Sequence, residues 1–175
     1  AGALLGAALA ASAFEAIQRE AGTDKGAAAR GMGEADAKRV ASVSADVYKG
    51  AWGESTEQVN TAIQSVMQQI GGMAQASDEQ LSAVTKSALD LSAAFGVDVA
   101  QASTAAGDLI RNGLAKDATE AFDIITAGFQ GGVDKRGDFL DTITEYSSQF
   151  AKLGIDGTTA TGLLSQGLAG GARDA

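Results

Sequence analysis

The chain has 175 residues, carries a net charge of −9 and contains no proline, cysteine or histidine. Without cysteine and histidine it cannot form disulfides, thiolate nucleophiles, serine–histidine–aspartate triads or histidine metal sites, and its acidity disfavours binding to phosphate backbones. Abundant alanine and the absence of proline favour helices, which the 23 glycines would interrupt. We therefore expect an all-α fold of helical hairpins with short glycine-rich connections, with about seven or eight helices.

Residues 1–50 are predicted to form a region of their own, an apolar N-terminal helix followed by a helical linker rich in alanine and glycine. Residues 1–14 carry no charge, but at ~1.5 Å per residue they are too short to cross a ~30 Å hydrocarbon core. We interpret them as a helix packed on its neighbours; the alternative, a membrane segment that upstream residues would lengthen, stays open. A helix is also predicted from about Glu34 to Lys49, followed by a break at residues 50–53.

Residues 51–175 are predicted to form a helical-hairpin region that continues beyond residue 175. Its helix starts are marked by a serine or aspartate three positions before a glutamine or glutamate, the capping-box pattern, at Ser55, Ser77, Asp98 and Asp117. Apolar residues at steps of three and four follow these starts, as expected of helices with one buried face. Gly96 and residues 112–113 are predicted helix ends, and a last helix is predicted from about Thr158 to Leu168.

The stretch 117–154 is predicted to be the core hairpin, because four of the six phenylalanines lie in it. Asp138 is the predicted N-cap of its second helix, and Gly154 is the residue that ends this helix. Two apolar stripes at helical spacing are predicted to face the core: Ala118, Ala121, Phe122, Ile125 and Phe129 on the first helix, and Phe139, Leu140, Ile143, Tyr146, Phe150 and Leu153 on the second.

A short pattern of two apolar residues, two spacers, a glycine and an apolar residue occurs at residues 109–114, 124–129 and 163–168. The separations of 15 and 39 residues differ, so the pattern does not predict a fixed-period solenoid. We interpret it as a recurring helix C-terminus, in which the glycine takes the left-handed conformation and the next apolar residue folds back.

Two short motifs have a structural explanation that needs no ligand. Gly31 and Gly33 begin like a dinucleotide-binding turn, but Asp36 occupies the position of the third glycine and no strand precedes it. Residues 136–138 spell Arg-Gly-Asp, which we interpret as a turn followed by a helix cap rather than as an adhesion motif.

Aromatic and acidic residues are likewise assigned structural roles. Tyr48 and Trp52 flank a glycine break and are predicted to be packing anchors. Glu57, Asp78 and Glu79 fall in the first turns of predicted helices, where the helix dipole favours acids. The sequence therefore nominates no catalytic, cofactor-binding or metal-binding residue, and we expect neither an enzyme nor a bound cofactor.

Two stretches of the chain carry a resemblance to a known protein family. The first runs from Asp46-Val47-Tyr48 through Trp52-Gly53-Glu54-Ser55 to Ala62-Ile63. The second runs from Ala121-Phe122-Asp123-Ile124-Ile125 through Asp138-Phe139-Leu140-Asp141-Thr142 and Gln149-Phe150-Ala151-Lys152-Leu153-Gly154 to Gly171-Ala172-Arg173-Asp174. Together they resemble the tail-length tape-measure proteins of long-tailed bacteriophages, especially those of actinobacterial hosts.

The resemblance implies a structural virion component, a segment of a longer helical protein that sets tail length during assembly and is released ahead of the DNA at infection. It implies phage tail-tube and tail-tip proteins as partners, a homo-oligomer of a few parallel copies, and contact with a host membrane, but no specific nucleic-acid binding. The implied location is the tail-tube lumen or the tail tip, after assembly in the host cytoplasm. The start at Ala1 rather than Met, and the lack of a stop to the C-terminal pattern, agree with a fragment.

Two further expectations follow from the helix breaks and from the apolar N-terminus. A protein that measures length would be one continuous helix, whereas glycines break this stretch every 15 to 20 residues. We therefore expect a compact helical region of such a protein rather than its ruler part. The competing function is a membrane-active helical module, in which residues 1–14 and the hairpins insert into or perforate a cell envelope.

Overall fold

The computed structural model describes residues 33–171, and these form seven α-helices joined by short connections. In chain order they are α1 (Glu34–Lys49), α2 (Thr56–Gln69), α3 (Asp78–Phe95), α4 (Val99–Arg111), α5 (Ala118–Gln130), α6 (Phe139–Lys152) and α7 (Gly157–Ala169), with a 3-10 turn at Met73–Gln75. No strand occurs in this part of the chain, so the all-α prediction is confirmed. The predictions made for residues 1–14 and for Gly31 lie outside the described residues.

Side chains cap the starts of most helices, largely as the sequence predicts. The Gln80 N–H donates to the Ser77 hydroxyl at 3.2 Å, and the Ser77 N–H donates to the Gln80 carboxamide at 3.1 Å, which completes a capping box. The same bond, from the third helical N–H to the cap side chain, begins four further helices, at Ser55, Asp98, Asp117 and Asp156. Of these, Asp156 is the cap that the sequence analysis did not predict.

Helix α6 begins where the sequence predicts, but a different residue binds its first N–H. Asp138 occupies the N-cap position, yet its carboxylate makes no cap hydrogen bond and its Oδ1 atom is buried without a partner. The Phe139 N–H donates instead to the Asp134 carboxylate, at 3.0 Å. Gly137, with φ +76°, turns the chain so that Asp134 lies at the helix start. The prediction that the Asp138 side chain caps α6 was therefore wrong.

Left-handed glycines follow the last five helices, α3 to α7, and the four that follow α3, α4, α5 and α6 have closely similar backbone angles. Their φ angles lie between +71° and +75°, at Gly96, Gly113, Gly132 and Gly154. After three of them the next residue donates its N–H to the carbonyl five positions back, the Schellman arrangement, at Leu114, Val133 and Ile155. At three corners the sequence Gly-Val-Asp or Gly-Ile-Asp combines the stop with the acid that begins the next helix, at residues 96–98, 132–134 and 154–156.

The glycine pattern singled out in the sequence has two different structural meanings. Gly113 ends α4, as predicted. Gly128 and Gly167 lie inside α5 and α7, so the interpretation as a helix C-terminus was wrong for these two copies. A Cβ atom at Gly128 would lie 2.2 Å from the Phe139 ring. At this position, glycine serves the close approach of α6 to α5 rather than a turn.

Helices α1 and α3 lie side by side and run in the same direction. Near the start of both helices, the Arg39 guanidinium donates to the Asp78 carboxylate at 2.7 Å. Near the end of both, the indole N–H of Trp52, just beyond α1, donates to the Asp90 carboxylate at 2.8 Å. Because start meets start and end meets end, the two helices are parallel.

Helices α4 and α6 show the same relation. Close to the two helix starts, the Gln101 side-chain amide donates to the Asp141 carboxylate at 2.8 Å. Towards the other end, the Asn112 side-chain amide donates to the Ser147 hydroxyl at 2.8 Å. These two bonds tie α4 to α6 along most of their length.

The remaining helices that are two apart in the chain are also in contact, towards the C-terminal ends of both helices. A Cβ atom at Gly107, late in α4, would lie 2.2 Å from the Gln69 carbonyl oxygen at the end of α2. The Phe95 and Phe129 rings, at the ends of α3 and α5, stack with centroids 4.8 Å apart. In the last pair, the Ser165 hydroxyl of α7 donates to the Gly131 carbonyl just beyond α5, at 3.3 Å.

These contacts define a two-layered stack, with α1, α3, α5 and α7 in one layer and α2, α4 and α6 in the other. Wherever two of these helices pack extensively, they are either consecutive in the chain or separated by one helix. Helices begin at residues 34, 56, 78, 99, 118, 139 and 157, every 18 to 22 residues, so a helix pair repeats about every 40 residues, as in helical solenoids. The separation of 39 residues noted in the sequence is one such step, from α5 to α7.

The predicted core hairpin, residues 117–154, forms both of its helices, but the second packs chiefly on α4 rather than on the first. Its contact with α5 centres on Phe139, whose ring meets that of Phe129 edge-on with centroids 5.3 Å apart. Packing on α4 turns the predicted stripe partly outwards, so Tyr146 and Leu153 are 43% and 73% exposed. Their predicted burial was wrong, whereas most of the other stripe residues are buried: Ala118, Ala121, Phe122, Ile125, Phe139, Leu140 and Ile143.

One hydrophobic core runs through the stack and is built mostly of alanine, valine, leucine and isoleucine. Phe122 and Phe139 are its buried aromatic residues. Helix α1 packs on α2 and α3 and contributes three valines to this core, Val40, Val43 and Val47. The division of the chain near residue 50 and the extent of the hairpin region stay predictions.

Candidate functional site

One surface cleft of the described residues, of about 520 Å³, lies between α5 and α7. Its walls carry the hydroxyl groups of Thr161 and Ser165. Both hydroxyls donate to backbone carbonyls, of Gly157 at 2.9 Å and of Gly131 at 3.3 Å. A nucleophilic hydroxyl needs a base within hydrogen-bond reach, and neither donates to one. The Thr161 and Ser165 hydroxyls thus bind the backbone at the seam between the two helices.

The second cleft, of about 510 Å³, lies between the start of α2 and the α3–α4 corner. Two helix N-termini border it, but their cap side chains are already engaged: Ser55 accepts from the Gln58 N–H and Asp98 from the Gln101 N–H. Within residues 33–171, no group of three or more acidic side chains converges as a metal site would require.

Two exposed carboxyl groups have lowered pKa values because they accept hydrogen bonds at helix starts. The Thr159 N–H, at 2.9 Å, and then the Thr159 hydroxyl, at 2.8 Å, lower the pKa of Asp156. The pKa of Glu79 is lowered first by its own backbone N–H and then by the Ser77 hydroxyl. Carboxyl groups held ionised in this way stabilise a helix start, and they are poor general acids near neutral pH.

Asp108 is the buried carboxylate in the described part of the chain. It pairs with the Arg111 guanidinium one turn later on α4. The neighbouring Asn112 amide donates both to the Asp108 carbonyl, at 3.0 Å, and to the Ser147 hydroxyl of α6. Asp108 thus belongs to the polar junction between α4 and α6, where its partner neutralises its charge.

Trp52 and Tyr48 pack partly buried against the core, as the sequence predicts. The Trp52 indole is held by its bond to Asp90, and the Lys86 ammonium lies 4.7 Å from the ring centroid. The Arg-Gly-Asp sequence at residues 136–138 forms the turn that precedes α6. These motifs are therefore parts of the scaffold.

The exposed large apolar side chains of the described residues gather on the last two helices of the stack. They are Tyr146 on α6, Leu153 directly after α6 and Leu163 on α7, and we call these three residues the terminal face. Leu163 is 48% exposed, and α1 to α5 expose no comparable side chain. All three lie at the C-terminal end of the stack, where no further helix of the described residues packs on them. The terminal face is thus the candidate functional surface of the described residues, although the sequence analysis had assigned two of its members to the core.

The membrane alternative depends chiefly on residues 1–14, which lie outside the described residues. Between residues 33 and 171, no helix combines the length and the apolar character needed to cross a bilayer.

The described residues form an all-α stack, and comparisons with known proteins identify the class of the chain. The chain belongs to the family of phage-related minor tail proteins, whose model matches residues 48–175. The probable tape measure protein of Streptomyces phage phiC31 is 42% identical to it over 162 residues, which are 93% of this chain and 22% of that relative. The chain thus spans about a fifth of the relative's length, and no solved structure matches it. The resemblance to tape-measure proteins is confirmed, and the chain is a structural component of a phage tail.

Proposed function

We propose that this chain is a segment of a tape-measure protein that sets tail length during assembly and is released ahead of the DNA at infection. The observation that carries the proposal is the 42% identity, over nearly the whole chain, to a probable tape measure protein. Of the side chains that border the two clefts, Ser55 and Asp98 cap helices and the Thr161 hydroxyl donates to a backbone carbonyl, which supports a structural rather than a catalytic role.

The charge of the chain supports a location along the path of the DNA, in the tail-tube lumen or at the tail tip. The net charge is −9, and acids are exposed along the whole stack, for example Asp46, Asp90, Asp123 and Glu145. Such a surface repels phosphate groups, so DNA moves past it without adhering. We propose tail-tube and tail-tip proteins as its partners, with a few parallel copies of the chain assembled in the host cytoplasm.

The stacked arrangement of the helices supports the view that each residue of this segment adds little to the length of the tape-measure protein. In a continuous helix, 39 residues extend ~60 Å at ~1.5 Å per residue. In the stack, one helix pair of the same length adds only the spacing between packed helices, ~10 Å. We propose that residues 51–175 form a compact helical-hairpin region of the tape-measure protein, which α1 joins by packing on α2 and α3.

Tandem insertion of helix pairs in a phage that carries this sequence tests the length-setting role. Three extra copies of residues 118–156, placed after residue 156, join Asp156 to Ala118 and so keep an aspartate cap before every new helix. We expect the mean tail length, measured by electron microscopy, to rise by ~30 Å if the stack persists in the tail, and by ~180 Å if the insert is a continuous helix.

A phage with silently recoded codons 118–156 is the matched control, and its tails keep the parental length. Tails of unchanged mean length in the insertion phage, with the longer polypeptide present in them, would show that this segment does not set length. Capture of the native polypeptide with an antibody gives a second check, because the proposal requires a chain several-fold longer than 175 residues in purified tails.

A further inference from the structure

We propose that the terminal face is covered by a further helix pair of the same polypeptide, packed on α6 and α7 as these two helices pack on α4 and α5. This inference rests on the chain being a segment of a longer tail protein, and it concerns the partner of a surface rather than the control of tail length. It starts from an internal equivalence between α5 and α7.

Helices α5 and α7 carry one pattern, displaced by 39 residues. Each is 13 residues long, follows an aspartate that accepts from the third helical N–H, and is followed two residues later by a left-handed glycine. The pairs of equivalent residues are Asp117 and Asp156, Ala121 and Ala160, Ile124 and Leu163, Gly128 and Gly167, and Gly132 and Gly171.

Equivalent positions on the two helices have different surroundings. Ile124 is 5% exposed because α7 begins against it: a Cβ atom at Gly157 would lie 2.7 Å from the Ile124 Cδ1 atom. Leu163, its equivalent on α7, is 48% exposed. The backbone at Gly128 is covered by the Phe139 ring of α6, whereas Gly167 is exposed. In the described structure, α7 therefore lacks the two following helices that cover α5.

The contacts of α5 indicate which side chains the two helices that follow α7 would place against it. The helix that follows α7 would bring a large apolar ring onto Gly167, as Phe139 does on Gly128. The next helix would begin with a small residue against Leu163, as Gly157 does against Ile124. The first helix of the pair would also pack on α6, as α6 packs on α4 and α4 on α2.

The length of the relative supports an occupant from the same polypeptide. The match covers 22% of the probable tape measure protein of phage phiC31, so that relative has ample further chain. A pair that follows in the chain needs only a short connection like the others in the stack, which span three to eight residues. Because the connection is short, a helix pair of the same polypeptide covers the terminal face at a small cost in chain entropy.

Single-cysteine labelling tests the proposal, because the natural chain has no cysteine. The variants are Leu163→Cys on the terminal face, Ala94→Cys at an exposed site of α3, and Ile124→Cys as the buried equivalent. Each is made in the 175-residue chain and in the full-length parent polypeptide, purified outside the tail. The rate of maleimide labelling is then measured for all six proteins over a range of protein concentrations.

We expect the full-length polypeptide to slow labelling of Leu163→Cys at least tenfold relative to the 175-residue chain, because protection follows the opening of a packed helix pair. Ala94→Cys is expected to react at equal rates in both chains, and Ile124→Cys slowly in both. Equal rates for Leu163→Cys in the two chains would overturn the proposal. Protection that rises with the concentration of the 175-residue chain would overturn it in favour of a second copy, and protection confined to assembled tails in favour of another tail protein. None of these outcomes depends on tail length, so this test and the insertion test fail independently.

Discussion

Helices α5 and α7 have the same length, the same aspartate cap and the same glycine after their ends, yet they differ in burial. On α5, α6 covers Gly128 and α7 covers Ile124. On α7, Leu163 and Gly167 stand at the equivalent positions and are exposed. The residue pattern alone therefore does not decide which side chains form the core. The helices that follow in the stack decide it.

The comparison shows how such a stack distributes its stability. Extensive packing joins only helices one or two places apart in the chain, so the energy of the fold is close to a sum of local interfaces. Equivalent substitutions should then have unequal effects, large where both following helices are present and small at the end of the described stack. One substitution pair at equivalent positions measures this inequality, and two further pairs test local contacts of α5 and α7.

The largest difference is expected between Ile124→Ala and Leu163→Ala in the 175-residue chain. Ile124 is 5% exposed, so truncation removes buried methyl groups and leaves a cavity, at a cost of ~2–4 kcal/mol in the free energy of unfolding. Leu163 is about half exposed, so the same truncation should cost less than ~1 kcal/mol. Urea unfolding followed by circular dichroism measures both values.

The outcome also sharpens the proposal for the terminal face. In the full-length polypeptide, Leu163→Ala should approach the cost of Ile124→Ala, because both side chains would then be buried. If Ile124→Ala and Leu163→Ala lowered the free energy of unfolding of the 175-residue chain equally, that result would contradict the difference in burial between the two side chains.

A smaller contrast is expected between Gly128→Ala and Gly162→Ala. A Cβ atom at Gly128 would lie 2.2 Å from the Phe139 ring, which is fully buried and cannot withdraw. We expect this overpacking to lower the free energy of unfolding by ~1–3 kcal/mol. A Cβ atom at Gly162, inside α7, would meet nothing within 4 Å, so alanine should raise stability by ~0.5–1 kcal/mol through its higher helix propensity.

Gly162→Ala serves as the matched control, because both changes add one methyl group to a helix interior. Thermal unfolding of the two variants beside the parent chain gives the sign of each effect. A stabilising Gly128→Ala would show that α6 does not pack on α5 at this position.

The helix boundaries could be predicted from the sequence because they depend on local chemistry. Ser77 and Gln80 form their capping box within four residues, and Gly96 ends α3 with its own backbone angles. Asp138 was mistaken for a cap because the choice between it and Asp134 depends on how Gly137 folds the turn.

The partners of each helix could not be predicted, since they depend on contacts between distant residues. The stripe on α6 is consistent with packing on α5 or on α4, and the bond between Asn112 and Ser147, 35 residues apart, shows which helix it faces. For the same reason Tyr146 was assigned to the core. The terminal face could not be inferred either, because Ile124 and Leu163 occupy the same place in one pattern.

The smallest effect concerns the cap of α7, where the comparison with α5 is electrostatic. In both helices an aspartate accepts from the third N–H, but α5 adds Glu120, which accepts from the Lys116 N–H at 2.7 Å. Helix α7 has Thr159 at that position, whose hydroxyl donates to Asp156. The hydrogen bonds from Thr159 lower the pKa of Asp156 below its ordinary value of 3.8. Its ionised form therefore favours the folded state.

The sign of the pH dependence follows from this lowered pKa. The stabilisation is complete above the pKa of the unfolded chain and is lost as the pH falls through the lower pKa of the folded state, below about pH 4. Asparagine caps equally well but does not titrate. We therefore expect the midpoint temperature of thermal unfolding to fall less for Asp156→Asn than for the parent chain when the pH is lowered from 6 to 3. Asp123→Asn, which removes an exposed acid within α5, controls for net charge and should follow the parent. If Asp156→Asn and the parent chain lost the same amount, the carboxylate would not contribute to the cap, and α7 would begin through the neutral hydrogen bond alone.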